Sequence, residues 1–338
     1  MQLIDEYATP AELTGYAREA LADRPENDFA LDKWLPNKTV NDLSYRFTRG
    51  GGGLTEAATF RAYDASADVG TRPGGARVSG ELPPISRKIS MSEYERIKRR
   101  NIETQNEEIR NAMLEDGVGQ ARAIAARMEL ARAEALFTAG VSLNENGVQA
   151  VVDFGRNASH SVTASTPWST IATADAYGDL SNWLDTYNAT NGRLPAYTLM
   201  SRTAYNWLRR NVGLTKLANT QNPPTVLTRD ALNTVLGDYE IPPVVIYDAQ
   251  VSVSGVPTRV TPVDKILFLP EFGNAVGQTL WGVPVEADDP RYGLAGDEAG
   301  IAVGAYKTED PQTIWTRATA IALPVVAAPD LTFVADVL

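Results

Sequence analysis

The stretch from Ser92 to Gly140 constrains this chain most. It opens Ser92-Glu93-Tyr94-Glu95, a capping box in which the serine hydroxyl accepts from the amide of Glu95 while that glutamate reaches back to the serine amide. No proline follows before Thr138, and apolar side chains recur at Ile102, Ile109, Met113, Ile124, Met128, Ala131 and Ala135, a thin stripe on a charged surface. The spacing predicts a helix. It should kink or break at Gly117-Val118-Gly119, because each glycine weakens a helix interior by about 1 kcal/mol relative to alanine. Gly140 supplies the C-terminal stop. The two halves together reach roughly 60 to 70 Å, longer than the core of one compact domain requires.

Such a helix needs something to lie on, and 338 residues with 43% apolar content supply core for about two domains. No run approaches the roughly 18 apolar residues of a membrane span. The opening Met1-Gln2-Leu3-Ile4-Asp5-Glu6 lacks the basic-then-apolar order of a signal peptide, which predicts a cytoplasmic chain with no membrane partner. With no cysteine, disulfides, thiolate metal sites and thiol nucleophiles are excluded. Stability beyond that of the fold must then come from packing or from other chains. The net charge of −11 is uneven, since residues 45–91 carry 7 basic and 4 acidic side chains while every other segment is acidic. An acidic chain is a poor ligand for phosphate backbones, so direct DNA readout is not expected.

Taken in order, residues 10–24 read as a short helix with Pro10 in its first turn, closed by Pro25, and 1–44 as an arm that packs on something else. Thr59–Asp64 and Ala76–Leu82 alternate apolar and polar side chains as two strands of a long ribbon with little core of its own. Gly50–Gly53 and Thr71–Gly75 serve as its hinges and turns. An isolated ribbon is marginal in water, so it is flexible or lies on a neighbouring subunit. Leu82-Pro83-Pro84-Ile85 returns it stiffly to the helix. Beyond Gly140, strands at 141–143 and 148–154 flank an Asn-Gly turn. A helix over 173–188 presents Leu180, Trp183, Leu184 and Tyr187 on one face. Strands at 196–200 and 244–247 then alternate with helices capped by Ser201 and Thr228, an α/β module. Further strands fall at 265–270, 280–286, 312–326 and 331–337, and the chain is expected to finish in the first domain rather than the second.

No constellation carries chemistry. His160, the only histidine, sits in Asn157-Ala158-Ser159-His160-Ser161, where a Gly-x-Ser-x-Gly turn is lacking and a hydrogen-bonded surface group is the simpler reading. One histidine and no cysteine leave only carboxylates for a metal, and no Asp-x-Asp-x-Asp loop exists. Asp288-Asp289 before Pro290 reads as a solvated turn rather than an acid/base pair. The Gly50–Gly53 run lacks the Gly-Lys-Ser/Thr ending of a phosphate loop. Trp183 and Trp207 lie at helical spacing among aliphatic residues, as core rather than as a base-stacking platform. No catalytic, cofactor or metal residue is assigned.

Several segments in order carry a resemblance: Leu35-Pro36-Asn37-Lys38-Thr39-Val40-Asn41-Asp42-Leu43, the ribbon end Leu82-Pro83-Pro84, Leu136-Phe137-Thr138-Ala139-Gly140, Asp153-Phe154-Gly155-Arg156 and Leu280-Trp281-Gly282-Val283-Pro284-Val285-Glu286-Ala287. From about residue 30 to the end the chain resembles the major capsid proteins of tailed bacteriophages, in particular the lambda-like capsid protein E family. The resemblance implies an α+β, Hong Kong 97-type capsid fold. Its parts would be an N-terminal arm (1–44), an extended loop (45–91), a spine helix and peripheral domain (92–166), an axial domain (167–260) and a return to the peripheral domain (261–338). It implies a virion shell of hexamers and pentamers, made in the host cytoplasm, that encloses double-stranded DNA without sequence-specific binding. A portal and a decoration protein are the further partners it brings. Two departures matter. A long scaffolding-like N-terminal extension is not evident, which implies a separate scaffolding protein, and the ribbon tip at 64–75 has no lysine, which argues against lysine cross-links. An encapsulin-type nanocompartment shell shares the fold and is the nearer rival; an α/β enzyme is the more distant one. The basic side chains Arg49, Arg61, Arg72, Arg77, Arg87 and Lys88 are the candidate inter-subunit contacts, because guanidinium forks suit bidentate pairing with carboxylates of an adjacent copy.

Overall fold

The computed structural model describes residues 2–22, 29–49, 57, 60, 61, 63, 76–98, 105–145, 148–294 and 299–338. The N-terminal part runs β1 (Gln2–Leu3), α1 (Pro10–Ala22), β2 (Asn37–Thr39), β3 (Ser44–Arg49), β4 (Ala76–Glu81), β5 (Pro84–Met91) and α2 (Glu93–Lys98). The long helix α3 (Gln105–Thr138) follows, then β6 (Gly140–Glu145), β7 (Val148–Asp153) and β8 (Ser161–Thr163). A mixed stretch holds α4 (Ala176–Asn191), β9 (Tyr197–Met200), α5 (Arg202–Leu208), α6 (Val212–Ala218), α7 (Arg229–Asp238) and β10 (Val244–Ile246). The chain closes with β11 (Gln250–Val253), β12 (Val256–Arg259), β13 (Lys265–Leu269), β14 (Gly277–Gly282), β15 (Ala302–Lys307), β16 (Ile314–Val326) and β17 (Phe333–Asp336).

Two sheets organise these elements. In the first, β16 pairs antiparallel with β15, β14 and β5, β1 extends from β15, and β2 runs parallel to β14. The second has the order β10-β9-β13-β17-β8. The stripe on α3 finds its partner in the first sheet: Ile109, Met113, Ala121 and Ile124 pack with Val303, Ala305, Ile314, Ala318 and Ala320. Alanines at alternate positions of β16 let helix and strand approach closely, and the buried apolar surface holds them there. The second sheet is covered by α4, whose Leu180, Trp183, Leu184 and Tyr187 pack with Phe268 and Phe333. Asp175 caps α4 through the amide of Gly178, and Gly192, at φ 67°, ends it.

The spine helix departs from the sequence reading in two ways. α3 runs unbroken through Gly117-Val118-Gly119. A side chain at Gly117 would put its Cβ 3.2 Å from Val303 Cγ1, so the glycine is where the helix meets the sheet rather than where it breaks. Burial of Ile109, Met113, Ile124 and Met128, each worth about 1.5–3 kcal/mol, outweighs the glycine penalty. The helix ends at Thr138, with Ala139 and not Gly140 in the left-handed conformation (φ 52°); Gly140 already belongs to β6. The capping box at Ser92 does form, with Ser92 N to Glu95 Oε2 at 2.9 Å and Glu95 N to Ser92 Oγ at 3.3 Å. The Ile102 position of the stripe lies outside the described residues.

The N-terminal arm does not wait for another body to pack on. Ala8, Leu13 and Ala17 are buried against α3 and the first sheet, and Leu31, Trp34 and Leu35 enter the central core. The ribbon is also rooted. β4 pairs with β3 (Ser44↔Glu81 to Arg49↔Ala76), and of the strand expected at 59–64 the described residues Phe60, Arg61 and Tyr63 belong to no strand, while 59, 62 and 64 lie outside the described residues. Tyr45 and Leu82 are buried in the same core, with Phe47 and Val78 packed against it, so the base of the ribbon has apolar anchorage that its composition hid. The stiff return after Leu82 is an eight-residue strand, β5, paired with β16. Lastly, β13 and β17 lie in the second sheet, so the chain does not finish in the first. Their all-apolar runs suit strands covered on both faces, and order along the chain cannot tell one buried sheet from the other.

Candidate assembly interface

A buried polar node fixes the frame on which the outer surfaces are carried. Glu129, fully buried on α3, accepts from the amide of Leu31 at 2.9 Å and the hydroxyl of Tyr247 at 2.6 Å, and pairs with Arg132 at 3.1 Å. Arg132 also donates to Thr279 Oγ1 at 2.9 Å and Asn37 Oδ1 at 2.6 Å. One carboxylate and one guanidinium thus join α3 to the N-terminal arm, to β14 and to the segment after β10. The C-terminus of α3 has its own clasp: Arg156 donates to the carbonyls of Leu136 and Phe137 and to Thr332 Oγ1. A cation there complements the negative end of the helix dipole. Burial pulls the Arg156 pKa down to about 10, with nearby Asp330 opposing. Arg156 came from the Asp153-Phe154-Gly155-Arg156 segment, whose role only this contact explains.

The candidate contact residues fall into separate places. Arg77 is exposed on β4, on the outer face opposite Thr48, and Arg46, which the sequence reading passed over, projects from the same face of β3. Arg49 ends β3. Arg61 is exposed beside Phe60 and Tyr63, whose rings are fully exposed. Arg72, the tip at 64–75 and the glycines at 50–53 lie outside the described residues. Arg87 and Lys88 belong not to the ribbon but to β5, where Lys88 sits 4.5 Å over the Trp315 ring and faces Arg317 across the strand pair. Arg317 is already paired with the buried Glu286. Other exposed apolar side chains are Tyr94 and Ile97 on α2, Val253 and Val256 at the β11–β12 turn, and Val285.

The remaining candidates for chemistry are structural. His160 is fully buried and not at the surface: its Nδ1 lies 3.3 Å from Thr332 O, its Nε2 3.0 Å from Thr190 Oγ1, and its ring stacks on Tyr187. Folding of the 157–163 turn onto β17 puts it there, a long-range event that the local polar sequence did not signal. Burial lowers its pKa, partly offset by the Thr332 carbonyl. Asp288 is exposed, and Asp289 caps the next turn and pairs with Arg291 at 2.6 Å. Trp183 is buried and Trp207 packs partly buried on the same cluster. Among the described residues, no group of three His, Asp or Glu side chains is placed to hold a metal, and no helix is long and apolar enough to cross a membrane.

The fold is similar to that of a prophage protein of E. coli CFT073 described as a capsid protein, with a TM-score of 0.64 at 13% identity over 98% of this chain and 99% of that one. A phage-related protein of Bordetella bronchiseptica RB50 follows, with a TM-score of 0.55 at 13% identity over 99% of this chain and 98% of that one. No curated protein matches. A spine helix under a sheet, a second α/β unit and a rooted ribbon make up the Hong Kong 97-type capsid fold, and the chain is a structural shell subunit, not an enzyme. It belongs to the phage major capsid protein E family, whose model matches residues 11–337. As a member of that family its place is the virion capsid. The family match favours this over the nanocompartment reading.

Proposed function

We propose that the chain assembles as hexamers and pentamers, with the part of the 45–91 loop around Phe60 and Tyr63, beyond its β3–β4 base, laid over an adjacent copy and its basic side chains set against acidic groups. The observation that carries this is the full exposure of Phe60 and Tyr63 in the one basic segment of an acidic chain. Two neighbouring aromatic rings gain nothing from water, and burying them supplies the drive to associate. The division proposed is arm 1–44, loop 45–91, the spine with its sheet and an axial unit, the strands at 161–163, 265–269 and 333–336 being counted with the axial unit on their pairing. In the host cytoplasm a separate scaffolding protein guides assembly, a portal occupies one vertex, and a decoration protein joins later. The finished shell encloses double-stranded DNA without gripping it, in keeping with a net charge of −11. Size-exclusion chromatography and negative-stain microscopy across concentration and salt test the central reading. Rings or closed shells are expected; a compact monomer throughout, with the chain around Phe60 and Tyr63 resistant to protease, overturns it.

A further inference from the structure

β5 is a long edge with nothing on it. It pairs with β16 along one side, from Met91↔Ile314 to Pro84↔Ile321, and among the described residues no strand or backbone hydrogen bond reaches its other side. Residues 86–90 are all exposed. A row of unpaired N–H and C=O groups of this length is a template for another strand. Beside its N-terminal end a cavity of about 300 Å³ opens between Ile85, Met128, Leu143 and Leu323, with the Arg127–Glu145 ion pair on its rim. An open edge next to a pocket of mixed apolar and polar lining along a helix is the arrangement in which an extended segment adds as a strand. Backbone bonds hold such a segment, and the pocket selects one of its side chains.

Charge narrows the occupant. Antiparallel pairing of β5 with β5 of another copy about the strand centre brings Arg87 opposite Lys88, and like charges directly opposite are destabilising. Neither residue makes an ion pair among the described residues of its own chain. Residues 45–91 carry 7 basic and 4 acidic side chains, which leaves −14 on the remainder of a chain totalling −11, so the rest of a second copy taken together is acidic. We propose that the free edge of β5 takes an extended acidic segment of a second copy as an added strand, with one side chain of that segment in the cavity. This rests on the shell-forming role proposed above.

The chain has no cysteine, so Ser90→Cys and Ser86→Cys each place a single thiol on the edge. Shells assembled from equal amounts of ¹⁴N and ¹⁵N chain, labelled there with a thiol-linked photo-cross-linker, are digested and read by mass spectrometry. Amide exchange over residues 85–90 is compared in wild-type shells and dissociated subunits. The expected result is mixed-isotope cross-links to one acidic segment, and exchange of alternate amides slowed by about tenfold or more on assembly. If microscopy shows shells while exchange is unchanged, or the cross-links stay within one chain or join a different protein, the inference fails and the shell reading survives. Absence of shells from the wild-type chain overturns both.

Discussion

Replacing Glu129 by leucine tests whether the buried node holds the frame together. Glu129 is fully buried and accepts from Leu31 N–H and Tyr247 O–H while neutralising Arg132, whose side chain is only 4% exposed. Without the carboxylate, Arg132 keeps only the neutral acceptors Thr279 Oγ1 and Asn37 Oδ1. Leaving a buried charge uncompensated costs about 3–5 kcal/mol, a range that also takes in the Leu31 amide's lost acceptor. At roughly 2.1 cal/mol/K of unfolding entropy per residue, a chain of 338 residues should lose about 4–7 °C in Tm. The double change Glu129→Leu with Arg132→Met removes both charges and should recover at least half of the loss, because Asn37 Oδ1 retains the Trp281 Nε1–H at 2.8 Å and the Thr279 hydroxyl still donates to Leu35 O. Thermal and urea unfolding of the unassembled chain, followed by circular dichroism, reads both. A single variant losing less than about 1 kcal/mol, or a double variant as unstable as the two singles added, would refute the reasoning.

Three further outcomes follow from the same contacts. Burial holds the His160 pKa below its ordinary 6.5, so the unfolded chain binds that proton first and stability falls as pH drops through 6.5. His160→Gln removes this component, so the wild type's advantage over the variant in urea titrations should shrink from about pH 7 to pH 5; a constant gap refutes it. Gly277→Ala drives a Cβ into the Val325 carbonyl oxygen and should cost about 1–3 kcal/mol, whereas Gly119→Ala, which meets nothing within 4 Å, should stabilise α3 by about 0.5–1 kcal/mol; equal effects in urea unfolding would contradict this. Changing Arg61, Arg72 and Arg77 together to glutamine should slow shell formation in light scattering and flatten its salt dependence, since exposed charges act mainly on association rate; unchanged kinetics would leave these arginines a solubilising role only.

What the sequence determined by itself is what depends on near neighbours in the chain. The capping box at Ser92, the α4 face of Leu180, Trp183, Leu184 and Tyr187, the caps Ser201 and Thr228 and the β6–β7 hairpin are all settled within a few residues, and all are present. The order of segments was enough for the fold family. The tertiary structure decided the rest. Whether Gly117 breaks a helix depended on Val303, nearly two hundred residues away, pressing where a side chain would stand. Whether the ribbon is loose depended on Tyr45 and Leu82 reaching a core built by distant strands, and whether His160 is wet depended on Thr332 and Tyr187. Arg87 and Lys88 read as ribbon charges until the register Lys88↔Arg317 placed them on a sheet edge. Propensity and capping are energies of about 1 kcal/mol fixed locally, whereas burial and strand register are set by partners that sequence order does not bring together, and there the larger energy of packing overrode the local preference.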